Sequence, residues 1–155
     1  MAHWTMDLRD YARRKNVEIR DVRKAYAFAL YSSIVRKTPV DTGRARGNWQ
    51  VTAGSPAGGE VEDRMKTPRG MDSVPDVNGD ESIFITNNLP YITALEYGGY
   101  SDPVEKGTYN KRTKSYEVRS DGGYSKQAPH GMVGVTLANN ENIFNAAVRA
   151  VRRSG

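Results

Sequence analysis

The chain has no cysteine. That excludes a disulfide framework, a thiolate nucleophile and the common sulfur-containing zinc sites. Histidine is nearly as scarce, with His3 and His130 the two present, and neither stands at ligand spacing from a group of carboxylates. Long apolar runs are missing too. The longest charge-free one, Ala25 to Val35, falls well short of the roughly 20 residues a membrane span requires. The opening MAHWTMDLRD is interrupted by charge before any apolar segment forms, unlike a secretion signal. The expectation is a protein that acts where it is made, away from membranes.

What is present fits one domain. At 155 residues the chain can bury a real core but has little room for two. The net charge of +5 is unevenly placed, with eleven basic and five acidic side chains in residues 1–50, three and eight in 51–100, and nine and five thereafter. Basic ends flank an acidic middle. Such segregation suits contact with DNA and equally suits head-to-tail contact between unlike patches of neighbouring subunits.

Periodicity predicts a long helix over 17–37, with Val22, Tyr26, Ala29 and Ser33 at helical spacing and Ile19 and Leu30 widening the stripe. Its centre, AYAFALYSSIV, carries no charge on any face. A helix apolar all round is covered all round, either by a second subunit meeting Phe28, Tyr31 and Val35 or by the chain's own loops. Residues 1–16, with Trp4, Leu8 and Tyr11, read as a short helix or arm. Thr38 before Pro39 ends the long helix, and Pro39, Asp41, Thr42 and Gly43 form a tight turn. A strand is expected from about Arg44 to Ala53, with Trp49 and Val51 on one face and Gln50 on the other.

Residues 54–80, rich in glycine, proline and acid, read as a loop that is mobile in the free subunit and of which part orders on assembly. ESIFITNN (81–88) is a strand with Ile83 and Ile85 on one face. LPYITALEYGGY is a short helix closed by Gly98 and Gly99. TYNKRTKSYEVR is a hairpin in which Tyr109 and Tyr116 flank a basic tip of Lys111, Arg112 and Lys114. Val133, Leu137, Phe144, Val148 and Val151 share one face of a final helix over 131–152, broken or kinked at ANNEN. The expected fold class is α+β: an antiparallel sheet packed by a long N-terminal and a long C-terminal helix, with long loops and a β-hairpin, all in one domain over 17–152.

Asp41-Thr42-Gly43 spells the triplet of the aspartic proteases, which need two carboxylates sharing a proton in a dry cleft. Here Arg44 and Arg46 follow at once, so the triplet reads as a turn. GRARG (43–47) lacks the lysine and hydroxyl residue of a phosphate-cradling loop. No catalytic, metal or cofactor constellation is expected. Glu96, a carboxylate in an apolar helix, needs a partner, and Arg44 or Arg46 could supply it unless the side chain is simply exposed. The cations Arg44, Arg46, Lys111, Arg112 and Lys114 are candidate contacts for DNA or an acidic partner.

Three motifs stand in order: TPVDTGRARGNW after the long helix, YITALEYG after an Asn-rich strand end, and APHGMVGVTL opening the final helix. Together they resemble the tail-completion or neck proteins of long-tailed bacteriophages, which include the minor tail protein Z group and related small tail components. The matching positions are Thr38 to Gly43, then Tyr91, Glu96, Tyr97 and Gly98, then Pro129 and Met132. The sequence departs from the family pattern at Ala45, in the long loop 54–80 and between Gly99 and Gln127.

The resemblance implies a non-enzymatic virion protein at the head–tail junction, assembled in the bacterial cytoplasm, without cofactors. Copies would form a ring, hexameric in the family's manner, around the DNA channel. Phe28, Tyr31, Val35, Tyr91, Glu96 and Tyr97 are the candidate interface residues. Tail tube, terminator or connector proteins are the implied partners, with genomic DNA passing without sequence recognition and no membrane contact. A tail terminator or head–tail stopper is the alternative within the resemblance, and a small basic DNA-binding protein the alternative outside it.

Overall fold

A computed structural model describes residues 19–77, 80–99, 108–118, 120 and 122–154. The expected arm over 1–16 lies outside these residues. Helix α1 runs Ile19–Lys37, favoured by alanine and basic residues of high helix propensity. It stops where the Thr38–Pro39 bond forces extended backbone, and the Thr38 hydroxyl donates back to the Ile34 carbonyl at 2.7 Å.

Three sides of α1 are covered. Ala27, Tyr31, Ile34 and Val35 face the main core, joined there by Ala45, Trp49, Leu89, Leu95, Ala128 and Met132. Ala25 and Ser32 are buried on the far side. The expected stripe of Val22, Tyr26, Ala29 and Ser33 is only half-buried; Tyr26 meets Phe144 edge-on with ring centroids 5.3 Å apart, and the Ser33 hydroxyl lies 3.2 Å from that of Thr136. The uncharged helix is thus covered by its own chain. This corrects the subunit-contact expectation for Tyr31 and Val35, both 0% exposed, and Phe28 is half-buried against the same core.

The expected strand from Arg44 begins later. Arg44–Gly47 is a single helical turn, α2, and β1 is confined to Gln50–Ala53. The reason is local: Gly43 takes a left-handed φ of 83°, and the Thr42 hydroxyl accepts the Arg44 amide at 3.3 Å, which restarts the chain in helical geometry. Strand β1 pairs antiparallel with β2 (Ile83–Thr86), Gln50 opposite Thr86 and Ala53 opposite Ile83. Trp49, Val51 and Ile85 turn to the core, while Gln50 donates to the Gly59 carbonyl.

Helix α3 (Ile92–Tyr97) ends on Gly98 at φ 73°, whose amide returns to Ala94, the left-handed stop that a glycine pair signals. Strands β3 (Thr108–Asn110) and β4 (Ser115–Glu117) make the expected hairpin. The last helix is broken as expected, into α4 (Val133–Ala138) and α5 (Asn140–Ser154). On either side of the break at Asn139, Leu137 is exposed whereas Ala147 is buried and Val148 half-buried. Helix α5 packs along α1. The α+β class stands, with long N- and C-terminal helices against a small antiparallel sheet. No helix of the described residues is long and apolar enough to cross a membrane.

Residues 55–77 contain one short 3-10 turn, Met71–Ser73, yet they are bound to the domain throughout. Asn48, 0% exposed, donates to the carbonyls of Arg44 and Val61 and accepts the Val61 amide at 2.8 Å. Arg69 donates to the carbonyls of Gly47 and Trp49 and pairs with Asp63 at 2.5 Å, and its amide donates to the Tyr31 hydroxyl. Val74 and Val77 are buried. These contacts lie within one chain, so the segment makes them without a second copy.

Candidate functional site

The three sequence motifs, at residues 38–49, 91–98 and 128–137, converge on one seam of the fold. The joints are hydrogen bonds that the sequence does not announce. Gln127, two residues before Pro129, accepts the Val40 amide at 2.7 Å and donates to the Val40 carbonyl at 3.3 Å. It reads the backbone of the Pro39–Gly43 turn as a strand would.

Glu96 supplies the second joint. Its Oε2 accepts the amides of Met132 and Val133, each at 2.8 Å, and its Oε1 accepts that of Gly134 at 2.8 Å. These donors open α4, where amides have no partner inside the helix, and a carboxylate satisfies them with charge-assisted bonds. Gly131 makes the approach possible: at φ 78° it lies so close that a Cβ would stand 2.5 Å from the Glu96 carbonyl oxygen. The expected partner for Glu96, Arg44 or Arg46, is therefore replaced by the backbone of the third motif. Neither simple exposure nor a salt bridge describes it.

The turn itself is packed from beneath. The Gly43 carbonyl accepts the amides of Gly47 and Met65, both at 3.0 Å, and a Cβ on Gly43 would lie 2.8 Å from the Met65 carbonyl oxygen. Behind the turn, the Trp49 indole donates to the Thr38 hydroxyl at 2.8 Å, and that hydroxyl donates to Ile34. A buried chain of donors thus ties α1, the turn and β1 together. Asp41 and Thr42 are exposed at the apex, and Pro39 is half-buried. Asp41 does not lie in a dry cleft.

The two arginines of this motif are committed inside the chain. Arg46 donates to the carbonyls of Thr38 at 2.8 Å, Arg36 at 3.0 Å and Lys66, and burial lowers its pKa from the ordinary arginine value. Arg44 pairs with Glu60 at 2.6 Å. Both were candidate DNA contacts on sequence grounds; the structure makes them clamps on the 55–77 segment and the end of α1. Burial also works against the charge of Arg69, but its hydrogen bond to Asp63 and the neighbouring Tyr31 outweigh this and hold its pKa above the ordinary value.

The remaining candidates stay on the surface. Tyr97 is 77% exposed on α3 and Tyr91 40% exposed at its start. Lys111, Arg112 and Lys114 are exposed at the hairpin tip, away from the Arg44–Arg46 turn in sequence and joined to it by no hydrogen bond among the described residues. Sequence reasoning missed Asn48, Arg69 and Gln127. A polar residue that bonds to backbone carries no periodic signal, and these three act on partners chosen by the tertiary fold. No group of three or more histidine, aspartate or glutamate side chains stands together as a metal site among the described residues. Set against known proteins, the chain matches no family model, no curated protein and no solved structure.

Proposed function

We propose that this chain is a non-enzymatic structural subunit of the head–tail junction of a long-tailed bacteriophage, a tail-completion or neck protein that forms a ring around the DNA channel. The observation that carries the reading is the meeting of the three motifs on which the resemblance rests. A turn, a helix and a helix start, separately unremarkable in sequence, are joined by Gln127 to Val40 and by Glu96 to the amides of residues 132–134. Motifs that hold one scaffold together fit a protein whose work is shape.

The placement of charge and apolar side chains supports the same reading. Tyr97 and Tyr91 leave large aromatic surface exposed around the seam, a composition enriched at protein interfaces. Arg44, Arg46 and Glu96 are occupied by backbone and ion-pair partners that maintain the fold, so the polar groups of the motifs serve architecture. A conduit for a genome should hold duplex DNA weakly, without sequence preference and with steep salt dependence.

Sedimentation velocity of the purified chain over a concentration series tests the proposal. A single closed oligomer of defined mass, emerging from monomer as concentration rises, is the expected result. Monomer at every concentration, or tight sequence-specific binding to a duplex in a gel shift, contradicts it; the latter favours the small basic DNA-binding protein. A tail terminator or head–tail stopper remains the neighbouring assignment within the same ring architecture, separated from it by which virion proteins the ring binds.

A further inference from the structure

The β3–β4 hairpin carries charge that the fold does not use. From Tyr109 to Tyr116 it reads YNKRTKSY, with three cations, no acid and a tyrosine at each end. Lys111, Arg112 and Lys114 are exposed within the four-residue turn and make no ion pair among the described residues. Elsewhere cations are paired or stand among acids. Lys24, Arg44 and Arg69 pair with Asp76, Glu60 and Asp63, Arg46 donates to three carbonyls, and the exposed Arg64 and Lys66 follow Glu60, Glu62 and Asp63 in the chain.

The tip is held in shape. Asn110, 9% exposed, accepts the Arg112 amide at 2.9 Å and donates to Glu117 at 2.9 Å. The Thr113 hydroxyl donates to the other Glu117 oxygen at 2.8 Å, and Lys114 closes the turn with a left-handed φ of 53°. The hairpin's acid is thus bound into the base of the turn. A tip fixed in this way gives up little conformational freedom on docking. Tyr109 and Tyr116 stand directly opposite each other on the two strands. Their ring centroids are 5.2 Å apart, which puts both rings on one face of the ribbon, and they remain 48% and 61% exposed.

Clustered cations between exposed aromatic rings form a surface that a sugar–phosphate chain fits. The cations neutralise phosphates, and tyrosine hydroxyls donate to phosphate oxygens. The shape favours a duplex, because a groove about 12 Å wide admits a two-stranded ribbon. Asn110, of the side-chain type that reads adenine, is buried in the turn. The tip therefore offers charge to the backbone and no amide to the bases.

We propose that the tip of the β3–β4 hairpin binds the phosphate backbone of duplex DNA, with Lys111, Arg112 and Lys114 on phosphates and Tyr109 and Tyr116 against the adjoining sugars. The inference rests on the channel reading above for the duplex being a passing genome, and it names the element that touches it. Three phosphate contacts give weak binding that is indifferent to sequence and steeply dependent on salt.

Fluorescence anisotropy with two short duplexes of unrelated sequence, over about 50 to 200 mM salt, tests it. The wild-type chain should bind both duplexes alike. Lys111→Gln, Arg112→Gln and Lys114→Asn together should weaken binding at the lowest salt by about tenfold or more and flatten the slope of log affinity against log salt by about 2 to 3; asparagine tolerates the left-handed turn at residue 114. A matched variant, Arg149→Gln with Arg152→Gln and Arg153→Gln, removes equal charge from the exposed end of α5 and should change the slope by about 1 at most. Circular-dichroism melts check each fold. Should the triple hairpin variant unfold, Arg112→Gln alone should flatten the slope by about 1.

A wild-type chain that ignores duplexes at the lowest salt overturns the proposal, as does a hairpin variant with the wild-type slope or an equal loss in the α5 variant. Tighter binding of the corresponding single strands overturns the duplex assignment in favour of stacked, unpaired bases. Sedimentation velocity on the same samples separates this contact from the ring. Wild-type rings with a hairpin variant that binds DNA unchanged leave the ring and remove the contact; a chain that stays monomeric yet grips duplexes through the tip does the reverse.

Discussion

Gly43 shows how much one residue decides. Its left-handed φ of 83° is a conformation that side chains resist, and its Cα faces the Met65 backbone with no room for a Cβ. Gly43→Val should therefore destabilise the fold by about 1–3 kcal/mol from the dihedral alone, with the clash against Met65 adding to it. A denaturant midpoint equal to wild type would contradict the assignment. Glu96 is the second such position. Glu96→Ala removes the acceptor of three amides at the start of α4, and an unsatisfied cap of this kind costs about 1–3 kcal/mol. Glu96→Gln keeps one acceptor oxygen and turns an amide nitrogen toward the remaining donors. It should fall between wild type and alanine in thermal melts, and an alanine variant as stable as wild type would show that the cap is dispensable.

Elements were legible in the sequence wherever a local rule set them. The Thr38–Pro39 stop of α1, the Gly98 end of α3, the break near Asn139 and the hairpin about Lys111 to Lys114 all follow from neighbours in the chain. What local rules missed depends on distant partners. Arg44–Gly47 has the composition of a strand entry but coils because Gly43 and Thr42 redirect it and Gly47 sits against the backbone of Asp63, where a Cβ would stand 2.2 Å from the carbonyl oxygen. The 55–77 segment has no apolar period, so nothing in it predicted that Asn48 and Arg69 would bind it to the domain. Glu96 was recognised as needing a partner, but its partners are backbone amides, which sequence does not display. Hydrogen exchange examines the segment directly. The amides of Val61 and Met65, bonded to Asn48 and Gly43, should be protected in the monomer as well as in the assembly, and exchange at the free-peptide rate in the monomer would restore the picture of a loop that orders on assembly.

At the scale of the whole molecule, the uncharged centre of α1 is the feature that first suggested a partner, and the fold answers that need internally through α4, α5 and the core. The exposed tyrosines near the motif seam and the exposed basic hairpin tip are the surface features on which the proposed association rests. Electron microscopy of the purified chain at assembling concentration tests this most directly. The account predicts rings of uniform size with a central opening wide enough for duplex DNA; a field of single compact particles at every concentration, or stacks without an opening, would contradict it.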